Sequence, residues 1–245
     1  MFHTFIYQPL YNILIFLYNV VPGGDFGVSI ILITVLLRIF LIPLYKKQIE
    51  SQQKLQEMQP KIKALQEKHK DNKEQQTKEL MNFYKEHKTN PFSGCFPLII
   101  QLIFLIGIYR ILITISENGL VANQEELYSF VSNPGKINQI FIGLFDLTKA
   151  SPLFAALAAL AQYFQTKMLL QKQPATEKKN SSDNQPDFAQ IVNKQMVFLG
   201  PILTLFIGMK FPAGLSLYWL ASTLFMLAQQ LYINKRNPQQ GVVAK

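Results

Sequence analysis

Residues 27–47 read GVSIILITVLLRIFLIPLYKK, and no other stretch limits the fold so strongly. Asp25 and Lys46 bracket roughly 20 almost wholly apolar residues, which at about 1.5 Å of rise each would cross the ~30 Å hydrocarbon layer of a bilayer. A single charge, Arg38, interrupts the run. A guanidinium near the centre of a spanning helix costs on the order of 2.5–3.5 kcal/mol even on lenient insertion scales, so such a residue normally marks a polar interior. The competing reading is snorkelling. Arg38 lies about 10 Å below the helix end at Tyr45, and its long stem can cover part of that distance. What the other spans place at the same depth weighs between the two.

The chain of 245 residues is 49% hydrophobic and 16% charged, and its apolar residues come in long blocks rather than at core spacing, which is the pattern of a membrane protein. The single cysteine, Cys95, excludes an intramolecular disulfide framework, and three histidines far apart in sequence offer no metal-ligand spacing. No cofactor is implied. The net charge of +9 raises the question of nucleic acid, but most lysines fall between spans and in the tail, where they set topology.

The first 25 residues have no basic n-region, no A-x-A-like cleavage site and no lipobox cysteine, so they are not read as a cleaved signal. Gln8, Asn12 and Asn19 fall on one helical stripe with Tyr11 and Tyr18 beside it, as in a helix lying in the membrane interface; a frayed first span is the alternative. Pro22-Gly23-Gly24 turns the chain into the first true span, 26–45. From 46 to 90 the character changes. Eleven lysines and seven acidic residues surround apolar positions at helical spacing, giving two charged helices, 46–69 and 74–88, that reverse around 70–72. Pro60 should kink or weaken the first of them.

Further spans are expected at 96–115, 151–170, 194–210 and 213–233. Between them lie an outer loop (116–150) and a polar inner loop (171–193), with a tail at 234–245. In the outer loop, Asn123-Gln124-Glu125-Glu126 reads as a helix start, Asn133-Pro134-Gly135 as a turn and 137–147 as a short interfacial stretch. Ala155, Ala156, Ala158, Ala159 and Ala161 favour close helix packing in the third span. Lys and Arg number eleven in 46–90, five in 167–194 and three in the tail, against Lys136, Lys149 and Lys210 on the opposite side. The positive-inside rule then puts the amino terminus outside and the carboxyl terminus in the cytoplasm, consistent with five spans.

Placed by depth, Arg38, Gln101, Gln162 and Gln165 fall in the cytoplasmic halves of their spans, while the outer halves are nearly pure hydrocarbon apart from Arg110. Glutamines facing lipid would leave amides unsatisfied, so they are expected to turn inward around a recess open to the cytoplasm and sealed outside. Simple helix-to-helix packing is the bland alternative. In the fifth span Ser216, Trp219, Thr223 and Gln230 share a face and are expected to line one wall or to pack. The expected fold is therefore an all-α membrane protein of five transmembrane helices with a cytoplasmic helical hairpin and an N-terminal interfacial helix. A small channel or transporter competes for the function, although internal repeats and broken midplane helices are not evident. An enzyme would need intramembrane nucleophiles, ligands or acid/base pairs, and the spans carry no Asp, Glu or His.

The Arg-bearing span with its charged continuation (31–68), NPFSGCFPLIIQ (90–101) and FIGMKFPAGLSLYW (206–219) together resemble the YidC/Oxa/Alb family of membrane insertases across essentially the whole chain. The resemblance implies a five-span core with a hydrophilic groove whose one arginine falls on Arg38, in the plasma membrane of a bacterium. It further implies insertion and folding of nascent membrane proteins, alone or beside the Sec translocon, without nucleotide, metal or catalytic residue. The groove residues expected here are Arg38, Gln101, Gln162, Gln165, Ser216, Trp219 and Thr223. The ribosome and the signal recognition pathway are further candidate partners besides the lipid bilayer, and no specific nucleic acid is implied. The large outer domain and lipoprotein cysteine of many relatives are absent from the sequence, Arg110 matches no family role, and the brief tail argues against strong ribosome docking through it.

The topology is testable by labelling. Cysteines introduced at Asn123 should react with a membrane-impermeant maleimide added to intact cells, and those at Asn180 should react only after permeabilisation; the opposite pattern would invert the orientation.

Overall fold

The computed structural model describes residues 1–87, 89, 96–170 and 188–236. Cys95, Asn180, most of the inner loop and the end of the tail with Lys245 lie outside the described residues. Among the described residues the fold has eight α-helices: α1 (Gln8–Val20), α2 (Phe26–Phe40), α3 (Ile42–Lys68), α4 (Lys73–Glu86), α5 (Phe96–Glu117), α6 (Pro152–Leu170), α7 (Phe188–Lys210) and α8 (Ala213–Arg236). A π-helical turn, His3–Tyr7, leads into α1, and a two-stranded antiparallel hairpin, β1 (Ile140–Phe141) and β2 (Phe145–Asp146), lies in the loop between α5 and α6.

The apolar run at 26–45 is not one straight helix. α2 stops at Phe40, Leu41 is the single break, and α3 departs at 59°. Pro43 accounts for the break: it has no N–H to give the carbonyl of Ile39, and its ring crowds that turn. α2 starts cleanly because Asp25 Oδ1 accepts the N–H of Val28 at 3.0 Å. Among the described residues, 99–117 within α5 is long and apolar enough to cross a membrane as one helix, and α2 with the start of α3 would make a second, bent crossing.

α3 runs unbroken through Pro60. The chain then reverses at 69–72, where Asn72 Oδ1 caps α4 by accepting the Gln75 N–H at 3.1 Å, and Gln76 Nε2 reaches back to the Gln66 carbonyl at 2.6 Å. α7 begins at Phe188, several residues before the expected start of the fourth span.

α8 occupies the middle of the bundle, packed on α2, α5, α6 and α7. Close approach is achieved where side chains are smallest. A Cβ on Gly208 would lie 2.7 Å from Ala155 Cβ, and one on Gly214 would lie 2.9 Å from Leu112, so α7 and α8 seat directly against α6 and α5. The first N–H groups of α8, which have no partner within a helix, donate to the loop between α5 and α6: Ala213 to the Lys149 carbonyl at 2.8 Å and Gly214 to that of Leu147 at 3.1 Å.

The polar stripe on α1 faces the loop between α5 and α6. Asn12 is buried; its Nδ2 donates to the Glu126 carbonyl at 2.8 Å and its Oδ1 accepts the Tyr128 N–H at 2.7 Å. Asn19 donates to the Ser132 carbonyl, Tyr11 accepts the Asn123 N–H and Tyr18 accepts the Asn138 N–H. Burial pushes the Tyr11 phenol up to about 12 against the lowering influence of the Asn123 N–H, so it remains a neutral acceptor near pH 7. The stripe is a staple that holds the loop between α5 and α6 on the bundle. At the same end, His3 pairs with Glu126 at 3.0 Å, and Arg110 lies 5.5 Å over the Phe2 ring, a cation–π contact tying the amino terminus to α5. Asn123 does cap a helical turn, but only the single 3-10 turn Gln124–Glu126.

The outward faces are apolar. α1 exposes Ile13, Phe16 and Val20; α2, Leu32 and Leu36; α6, Leu153, Leu157, Leu160 and Phe164; α7, Phe198, Leu199, Ile202, Leu203 and Phe206. A surface so continuously apolar fits lipid rather than water.

Asn12→Ala should leave the Tyr128 N–H and the Glu126 carbonyl unpaired and cost about 1–3 kcal/mol. Its expected signature is a lower unfolding temperature in detergent together with faster proteolysis within 120–138. Asn12→Asp, which keeps the acceptor but sets a carboxylate against the Glu126 carbonyl, should not restore the loop.

Candidate functional site: a polar cluster inside an apolar bundle

Arg38 comes from the last turn of α2, Gln101 from the first turns of α5 and Ser222 from the middle of α8. The half-buried guanidinium donates to both partners: Nε lies 3.0 Å from Ser222 Oγ, and Nη2 meets Ser222 Oγ and Gln101 Oε1. Ser222 in turn donates to Gln101 Oε1 at 3.2 Å. A cation among three helices is thus met, among the described residues, by neutral oxygen acceptors and no carboxylate, so within them its charge is solvated but not cancelled.

Three positions before Ser222 on α8, at Trp219, a second cluster faces α6 and α7. Gln162 Oε1 accepts from Trp219 Nε1 at 2.7 Å and from Thr204 Oγ1 at 3.0 Å, joining three helices through one amide oxygen. Gln165 is buried and donates to Met226 Sδ at 3.4 Å. Ser216 lies against Gly208, with Oγ 3.5 Å from its carbonyl, in a packing contact. Thr223 is buried with its hydroxyl unpartnered.

Thr223 is not isolated in this. Tyr45 Oη, Gln101 Nε2, Gln229 Nε2 and Gln230 Oε1 are also buried without a hydrogen-bond partner among the described residues. They belong to the start of α3, the start of α5 and the second half of α8, which is the end of the bundle that also carries Arg38. A dry buried amide or hydroxyl left unpaired costs about 1–3 kcal/mol. Several of them in one region, beside an uncancelled cation, suit a recess that holds water. Towards the opposite ends of α2, α5 and α8, Phe26, Ile30, Ile108, Ile111, Leu112, Leu215 and Leu217 belong to one buried apolar cluster.

The residues expected from sequence therefore divide. Arg38 and Gln101 meet; Gln162 and Trp219 meet; Gln165, Ser216 and Thr223 bond to neither pair. Ser222 and Thr204 are the participants that periodicity alone misses. Ser222 sits one position before Thr223, off the 216/219/223/230 stripe, and faces α2 instead of α6. Thr204 is a lone hydroxyl midway between Gly200 and Gly208, a sign only of a close helix contact. Among the described residues no group of three or more His, Cys, Asp or Glu is placed to hold a metal ion.

The sequence profile described as "60Kd inner membrane protein" matches residues 16–240. The chain belongs to this family. Its relatives include the membrane protein insertase YidC of Streptomyces avermitilis, 29% identical over 239 residues, covering 91% of this chain and 54% of that protein. They also include the insertase YidC of Fusobacterium nucleatum, 30% identical over 236 residues, covering 95% of this chain and 98% of that protein. The chain thus spans about half of the first relative and nearly all of the second. In fold it is similar to the crystal structure of an active YidC insertase with the first transmembrane domain resolved, with a TM-score of 0.61 at 24% identity over 94% of this chain and 46% of that one.

Ser222→Ala should remove one acceptor from a half-buried cation and lower stability by about 1.5–3 kcal/mol. Ser222→Thr, which keeps the hydroxyl, should recover most of it. Thermal unfolding of the purified variants in one detergent checks both, and an alanine variant as stable as the parent would mean that Arg38 does not depend on α8.

Proposed function

We propose that the protein inserts nascent membrane proteins and helps them fold, through a hydrophilic groove open to the cytoplasm. The observation that carries the reading is the Arg38 guanidinium held by Ser222 and Gln101 inside the bundle, with its charge uncancelled and unpaired polar atoms around it. The insertase names of the relatives agree with it.

In this reading α2 with the start of α3, then α5, α6, α7 and α8, are five spans. The amino terminus and α1 lie outside, and α3, α4 and the carboxyl terminus lie in the cytoplasm of a bacterial cell. The distribution of lysines supports that orientation. The break at Leu41 lets the charged helix pair leave the bundle at an angle, where it can receive a substrate or partner. The protein acts alone or with the Sec translocon; contact with the ribosome and the signal recognition pathway belongs to the same proposal. Bond-making chemistry, cofactors and nucleic acid have no part in it.

The physical task is to move a short polar tail across hydrocarbon. A wet recess reaching partway into the bilayer shortens the apolar distance, and Arg38 attracts carboxylates in the tail through a medium less polar than bulk water. The hydrophobic segment that follows leaves into lipid, with about 0.8 kcal/mol gained per CH₂ buried. The apolar plug at the outer end keeps the recess from becoming an ion path.

Arg38→Ala should reduce insertion of a single-span substrate whose translocated tail carries Asp or Glu by on the order of tenfold, the equivalent of about 1.4 kcal/mol of lost attraction. It should affect a neutral tail much less. Arg38→Lys should retain much of the activity, since the charge persists without the planar fork. The measurement is insertion of one substrate with its tail charge varied at matched protein levels. Equal insertion of all tails by the alanine variant would reduce Arg38 to an anchor.

A further inference from the structure

The β1–β2 hairpin carries a tip that contacts within the protein do not explain. Its flanking residues face inward. Phe141 lies on Gly27, where a Cβ would come within 2.3 Å of its ring, and the Phe141 and Phe145 rings meet Phe154 at centroid separations of 6.1 and 5.0 Å. Between them Ile142 and Leu144 are 56% and 76% exposed. Tight hairpin tips ordinarily use Gly, Asn, Asp or Ser. This one presents two large aliphatic side chains around Gly143. Ile142 moreover has φ +47°, a left-handed conformation that a β-branched residue adopts only under constraint. The constraint is visible: its N–H donates to Asp25 Oδ2 at 2.7 Å, pinning the tip to the residue that caps α2.

The position of the tip identifies its occupant. Gly27 lies in the first turn of α2 and Phe154 in the first turn of α6, so the hairpin sits at the outer ends of two helices of the bundle. The exposed stripe of α6 starts at Leu153 in that same turn, next to the Phe154 on which the hairpin packs. Lys149, highly exposed and paired with Asp146 at 3.2 Å, adds a cation where headgroup phosphates would lie. We propose that the Ile142-Gly143-Leu144 tip is a lipid wedge, its two aliphatic side chains seated among the acyl chains of the outer leaflet beside α2 and α6. The inference rests on the membrane orientation proposed above. A protein partner is the alternative occupant, and the packing of the hairpin on the start of α6, beside its exposed apolar stripe, favours lipid.

The test places an environment-sensitive fluorophore on Leu144→Cys, and separately on Glu125→Cys in the same loop, in a full-length Cys95→Ser chain reconstituted into phosphatidylcholine–phosphatidylglycerol vesicles. A lipid carrying a nitroxide at the shallow part of its acyl chain should quench the label at 144 several-fold more than iodide does, with the reverse order at 125. Iodide quenching at 144 as strong as at 125 would overturn the wedge while leaving the orientation intact. In intact cells, failure of an impermeant thiol reagent to reach Glu125→Cys would overturn the orientation and the wedge with it. As a second readout, Ile142→Gly in the Leu144→Cys chain relieves the strain and removes the remaining aliphatic side chain of the tip. It should fold normally and lower lipid quenching of the label at 144 several-fold; undiminished quenching would show that the aliphatic side chains do not seat the tip.

Discussion

A guanidinium set among apolar helices must find acceptors there, because hydrocarbon supplies none, and much of the bundle is arranged around that requirement. Arg38 draws one oxygen from α5 and one from α8, so three helices distant in sequence are held in register by a single side chain. Gln162 performs the same service for α6, α7 and α8 by the opposite chemistry, an oxygen that collects two donors. α8 belongs to both sets. Its Trp219 and Ser222 lie on neighbouring faces, which fixes its rotation about its own axis as well as its depth.

Neutral partners matter as much as their number. A carboxylate beside Arg38 would have bound the cation more tightly and cancelled its field. Hydroxyl and amide oxygens stabilise the charge locally yet leave it available to an anion arriving from elsewhere. The unpaired polar atoms of Tyr45, Thr223, Gln229 and Gln230 extend this logic, since they favour solvent over a sealed core at that end.

The features most legible in the sequence are those set by a local rule. Arg38 and Gln101 stand out because each interrupts a hydrophobic block, and the reversal at 70–72 because polarity and turn residues coincide. What resists a sequence reading depends on rotation and on distant partners. The stripe of Gln8, Asn12 and Asn19 has the pattern of an interfacial helix, but whether such a stripe meets water or the backbone of a loop more than a hundred residues away is not written in its spacing. Ser222 escapes for the same reason: a shift of one position on α8 moves a side chain about 100° around the axis. Pro43 was visible in the first apolar run, but a 59° turn there depends on the helices that α2 and α3 each find to pack against.

The loop between α5 and α6 is, to the eye, the natural place for an epitope tag or a circular-permutation cut: long, poor in regular structure and at the surface. Yet its carbonyls at Leu147 and Lys149 complete the start of α8, and its 123–138 portion is bonded to Tyr11, Asn12, Tyr18 and Asn19 of α1. Mechanically it is a strap closing the bundle rather than slack between two helices. Engineering that treats it as slack would loosen the central helix and, a few turns further on, the residues that grip the buried cation.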